Sequence, residues 1–85
     1  MKKYVVVTHI YHDGSKTVIA SPFDVPEYYE KPETDQHTDL FDIHVEVFDS
    51  YEDAVAYYKY HLNMPGFVDI VEDTIRRTAP AVVVI

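Results

Sequence analysis

Apolar and polar residues alternate over Leu40–Val47, with Phe41, Ile43, Val45 and Val47 set against Asp42, His44 and Glu46. A period of two sends successive side chains to opposite faces, so the spacing predicts a strand with one wet face. Lys3–Tyr11 is also strand-like, rich in β-branched and aromatic residues. Tyr4, Val6, Thr8 and Ile10 fall on one of its faces, and Val5, Val7, His9 and Tyr11 on the other. Neither face is polar throughout, which predicts a central position in a sheet. His12-Asp13-Gly14-Ser15-Lys16 then separates this run from Thr17–Ala20. Asp-Gly between two apolar strands predicts a hairpin of type I′, whose two central residues both take positive φ. Pro22 lacks an amide hydrogen and limits the returning strand.

Beyond Val47 the period changes. Tyr51, Ala54, Val55, Tyr58 and Leu62 stand at i, i+3, i+4, i+7 and i+11, an apolar helical stripe. Ser50 and Asp53 approximate a capping box, and Glu52 and Asp53 suit the positive end of a helix dipole. Asn63-Met64-Pro65-Gly66 stops the helix at about residue 62.

Phe67–Thr78 admits two readings. Phe67, Ile70, Val71, Thr74 and Ile75 match a second helix at about 66–77. Yet six of those twelve residues are β-branched, which lowers helix propensity. A strand at about 67–72 is therefore preferred, with a final strand over Ala81–Ile85. That terminus is apolar throughout, which suits either an interior strand or an edge that pairs with a second copy of the chain.

Residues 21–39 hold three prolines and six acids with no apolar period, and read as an irregular acidic loop. Within it, Tyr28 and Tyr29 either anchor the loop on the core or project to a partner. The chain reads as a single α+β domain over residues 1–85. It has a mainly antiparallel sheet of four to five strands, one helix across one face, and the order β-β-β-α-β-β. The expected core comprises Val5, Val7, Ile10, Val18, Phe41, Ile43, Val45, Val47, Ala54, Val55, Tyr58, Leu62, Val82 and Val84.

Composition adds a charge polarity. The 85 residues carry a formal charge of −8, but residues 24–53 alone carry −10 and the rest +2. Such a balance argues against nucleic acid or an anionic membrane as a direct ligand, since both reward Lys and Arg. With no Cys there is no disulfide, thiolate zinc site or Cys nucleophile. Tyr4–Val7 is too short for a signal-peptide apolar core, and no run approaches the length of a membrane span. A cytoplasmic protein is the expectation.

No enzyme motif emerges. The two glycines form no phosphate loop, and none of the three serines sits in a nucleophile elbow. No catalytic residue and no cofactor is assigned. Asp42, His44 and Glu46 on one strand face, with His9 across from them, are the weak candidates for a metal site.

The acidic segment is the stronger signal. Asp24, Glu27, Glu30, Glu33, Asp35, Asp39, Asp42 and Glu46, interleaved with Tyr28 and Tyr29, suit docking onto a protein with a basic surface. In size and charge the chain is similar to the nucleic-acid-mimicking inhibitors of phages and mobile elements, though no motif carries that likeness. The expected function is a non-enzymatic acidic protein-binding module. The alternatives are an accessory subunit assembling through strand edges and the apolar C-terminus as a homodimer, or a small metal-binding enzyme or sensor.

Overall fold

Residues 2–31 and 33–70 are described by the computed structural model. At its centre is β1 (Lys3–Tyr11), whose side chains are apolar on both faces. The other strands are β2 (Thr17–Ala20), β3 (Phe23–Val25), β4 (Gln36–His37), β5 (Phe41–Phe48) and β6 (Phe67–Ile70), and the helix is α1 (Tyr51–Leu62). The described strands form one mixed sheet in the order β4-β5-β1-β2-β6, with β3 also paired to β1. The α+β expectation holds, with one helix against one sheet. Every pairing is antiparallel except β2 with β6. Strand rather than helix begins the ambiguous segment, over Phe67–Ile70. The expected strand at Ala81–Ile85 lies outside the described residues, as do Val82 and Val84.

Two local expectations need correction. The hairpin forms, but not through a type I′ turn: Gly14 alone has positive φ, at 74°. Its N–H donates to the Tyr11 carbonyl, and the Asp13 carboxylate accepts from the Ser15 N–H at 2.9 Å. Asp13 gains that side-chain bond in a backbone geometry that an L residue adopts without cost. Residues 21–39 are likewise not irregular throughout. Phe23 and Val25 bury their side chains beside β1, and Gln36–His37 extends the sheet beyond β5. Both strands are too short to leave a period in the sequence.

The core has two faces. One holds Val5, Val7, Val18, Ala20, Phe23, Val25, Ile43 and Val45, with Phe41 and Val47 half-buried at its margin. The other lies beneath α1 and joins Val6, Ile19 and Ala54 to Tyr4, Phe48, Tyr57, Tyr58, Leu62 and Phe67. Ala54 is the one fully buried helix residue, and its methyl lets α1 approach the sheet closely. Val55, Tyr58 and Leu62 are half-buried. Ile10, expected inside, is 41% exposed because it lines an open cavity beside the helix. Val6 and Ile19 were not expected in the core and are fully buried, because α1 covers the opposite face from the apolar side of β5.

Local chemistry fixes the helix ends. Ser50 Oγ accepts from the Asp53 N–H at 3.1 Å, half of a capping box. Asn63 closes the last turn through its backbone N–H and through Nδ2, which donates to the Lys59 carbonyl. Gly66, at φ 87°, then turns the chain so that its carbonyl accepts from the Thr17 N–H and starts β6 along β2. Burial, together with a hydrogen bond to Asp69, pushes the Tyr58 phenol up to about 12, tying α1 to β6.

The two adjacent tyrosines divide their roles. Tyr28 is 81% exposed, whereas Tyr29 packs against the larger core cluster. The Tyr29 hydroxyl is buried without a hydrogen-bond partner among the described residues, and burial raises its pKa. An unpaired buried hydroxyl costs about 1–3 kcal/mol. Tyr29→Phe is therefore expected to leave the urea-unfolding midpoint unchanged or raise it. A clear fall in that midpoint would mean that the hydroxyl is satisfied.

Candidate functional site

Much of the acidic segment runs along β4, β5 and the chain leading into them, at one edge of the sheet, while Asp24 lies on β3 beside β1. Its carboxylates fall into two groups. Asp24 pairs with Lys2 at 2.9 Å. Asp35, Asp42 and Glu46 are bound to histidines or Lys31 on the face of β5 that also meets α1. Glu27, Glu30, Glu33 and Asp39 are exposed. For Glu30, Glu33 and Asp39 no side-chain ion pair is made among the described residues. The exposed Tyr28 stands between Glu27 and Glu30 in the chain.

The bound group forms a ladder of imidazoles and carboxylates. Asp42 Oδ1 accepts from His12 Nε2 at 2.7 Å and from His37 Nδ1 at 2.6 Å. Two positions along β5, His44 places Nδ1 at 2.7 Å from Asp35 Oδ1 and Nε2 at 2.7 Å from Glu46 Oε1. Lys31 Nζ donates to the same Glu46 oxygen at 3.2 Å. The alternation of β5 sends Asp42, His44 and Glu46 to one side. The β4–β5 register sets His37 opposite Asp42, and the hairpin brings in His12.

These contacts shift the acids and one base in a consistent sense. Hydrogen bonds from His12 and His37 hold Asp42 below its ordinary value of 3.8. Burial works against ionisation of Glu46, but hydrogen bonds from His44 and Lys31 outweigh it and lower its pKa. The hydrogen bond to Asp42 raises His12 above 6.5.

The metal candidates do not come together. The β1–β5 register sets Thr8, not His9, opposite His44, so His9 projects from the other face. There it is 4% exposed and stacks on Phe41 with ring centroids 4.3 Å apart. Burial lowers its pKa. Asp42 turns to His12 and His37, while His44 and Glu46 turn to Asp35 and Lys31. Among the described residues, no group of three His, Asp or Glu side chains is placed to hold a metal ion. Sequence reasoning missed His12 and His37 as partners of Asp42. Their positions, in a turn and a two-residue strand, carry no periodic signal.

Beside the ladder, a cavity of about 180 Å³ opens between the sheet and the C-terminal half of α1. It is lined by Thr8, Ile10, Thr17, His44, Tyr57, His61 and Phe67. His61 Nδ1 donates to the Tyr57 carbonyl at 2.9 Å, which fixes the ring against the helix. Burial and the nearby Glu46 and Asp35 charges raise the Tyr57 phenol.

No described helix is long and apolar enough to cross a membrane. Comparison of the chain with protein-family models, with curated proteins and with solved structures finds no match.

Proposed function

We propose that the chain is a non-enzymatic acidic docking module that covers a basic nucleic-acid-binding surface on a partner protein. The observation that carries this reading is the division of the acids on the β4–β5 edge. One set is spent on holding the edge together, and a second set, Glu30, Glu33 and Asp39, is exposed, with the exposed Tyr28 two residues before Glu30 in the chain. Fixed negative charge next to an exposed aromatic ring suits a basic partner, because charge steers the encounter and a rigid ring supplies contact area.

The same division makes the test clean. Reversing Asp35, Asp42 or Glu46 would break internal hydrogen bonds, whereas Glu30→Lys, Glu33→Lys and Asp39→Lys change only the outer surface. Immobilised protein is exposed to an extract of its source cells at low and high salt, with duplex DNA as competitor. A basic protein retained at low salt, released at high salt and displaced by DNA is the expected result. The triple variant should bind it roughly tenfold or more weakly, since exposed charge pairs contribute up to about 1 kcal/mol each. Its unfolding midpoint should stay unchanged. Equal retention by the variant would refute the reading.

A further inference from the structure

We propose that the histidine–carboxylate ladder is a pH-operated clamp that holds residues 33–42, and with them the outward acids Glu33 and Asp39, against the sheet until the imidazoles lose their protons. The proposal rests on the acidic docking reading for its biological purpose, but the clamp itself stands on geometry. Three imidazoles from three separate places meet three carboxylates: His12 from the hairpin, His37 from β4 and His44 from β5.

His44 is the most telling member. Both of its ring nitrogens lie 2.7 Å from carboxylate oxygens, one on Asp35 and one on Glu46. Carboxylates only accept, and a neutral imidazole has a single N–H to give. Both contacts are therefore hydrogen bonds only in the doubly protonated ring. When that ring is neutral, a lone pair faces one of the two carboxylates. Asp35, from the loop, and Glu46, from the strand, then lose the bridge that joins them. Asp42 joins the hairpin to β4 differently, by accepting on one oxygen from one nitrogen of each of two rings, bonds that a neutral imidazole can still donate but a charged one makes stronger.

Among the described residues, the other groups facing the ladder are few. Lys31 reaches Glu46, and Asp13 and the Asp39 backbone lie near His12. Tyr57 and His61 of α1 share the cavity that His44 lines.

The signs define a window. His12 is raised by its hydrogen bond to Asp42, so its contribution is present below 6.5 and is lost as pH rises through its folded value. Asp42 is lowered by the same bonds, so its contribution is present above 3.8 and is lost as pH falls through its folded value. The clamp thus engages in mild acid and opens towards alkaline pH, as positive charge leaves the edge. His9 runs the other way. Burial lowers its pKa, so its contribution is present above 6.5 and is lost as pH falls. The His9 contribution to stability and the His12 contribution at the loop therefore respond to pH with opposite sign, which helps to separate core from loop experimentally.

The test is amide hydrogen exchange of the full chain by NMR at about pH 5.5 and about pH 8, with rates corrected for the intrinsic pH dependence of exchange. Protection of amides such as Thr38, which donates to the Phe41 carbonyl, is expected to fall roughly tenfold on raising the pH. That is the scale of one charge-assisted hydrogen bond. Amides of β1 should not fall in step. In the triple variant His12→Gln, His37→Gln and His44→Gln, loop protection should be low at both pH values. The single variant His44→Gln, which changes one site only, should lose about half of the pH effect. Loop protection that is constant with pH in the wild type, or a pH effect that survives in the triple variant, overturns the proposal. No partner is needed for this measurement. A working clamp combined with unaltered capture by the charge-reversed variant would refute the docking reading alone.

Discussion

Val7→Asp is expected to leave the chain without a stable fold at room temperature. Val7 is fully buried in the middle of β1, opposite Val45 of β5, within a cluster of valines, Ile43, Ala20 and Phe23. An ionised carboxylate there loses its water, and that desolvation costs several kcal/mol even after relaxation. Taking up a proton avoids the charge but leaves a buried polar group among apolar side chains. Domains of this size sit near the lower end of the usual 5–15 kcal/mol of stability, so either outcome removes most of it. Amide dispersion in an NMR spectrum and far-ultraviolet circular dichroism report the result directly. Val68→Asp is the control: Val68 is 48% exposed on β6, and surface changes of this kind usually stay within about 0.5 kcal/mol. A dispersed, native-like spectrum from Val7→Asp would mean that the face of the sheet turned away from α1 is not a core at all.

That face also shows what could be read from the sequence. The run Val5, Val7, Ile43 and Val45 was legible because alternation places these residues on one side whatever the tertiary arrangement. Alternation does not say which side the helix takes. The apolar stripe of β5 invites the helix, yet α1 packs over Val6 and Ile19, and its own side of β5 offers it only Phe48 beyond the polar Asp42, His44 and Glu46. This choice depends on the small Ala54 and on the Tyr58–Asp69 contact, which are properties of two elements together. The helix limits were legible because caps act locally, through Ser50 and the Asn63–Gly66 stop.

The candidate site was legible as charge but not as structure. Counting acids finds the edge; it cannot divide Asp35, Asp42 and Glu46 from Glu30, Glu33 and Asp39. The division is made by histidines that are far from their partners in sequence. His12 is 30 residues from Asp42, and only the β1–β5 register brings them together. The same register sends His9 away, so a metal set of His9 with Asp42, His44 and Glu46 mixes the two faces of the sheet.

Ile19→Ala should have the second largest effect, and it probes the face beneath the helix. Ile19 is the largest fully buried side chain among the described residues and packs with Val6 and Ala54. Truncations of this kind cost about 2–5 kcal/mol, from lost transfer energy and from the cavity left behind. The cost should lie toward the upper part of that range, because the hydrogen-bonded pairing of β2 with both β1 and β6 keeps the backbone from closing the gap. With a urea slope of about 1 kcal/mol/M for a small domain, the midpoint should move by roughly 2 M or more. Ile10→Ala removes the same atoms from a side chain that is 41% exposed at the open cavity, and its midpoint should move far less. The two faces of the sheet share β1, so neither can melt alone. Helix circular dichroism and NMR signals from Val5 and Val45 on the far face should therefore report one coincident transition in Ile19→Ala. Two separated transitions, with α1 lost first and the β1–β5 pairing intact, would show that the helix is an accessory to a sheet stable by itself. The fold would then be held by the Val7 face, and the cavity beside His44 would open without disturbing the rest.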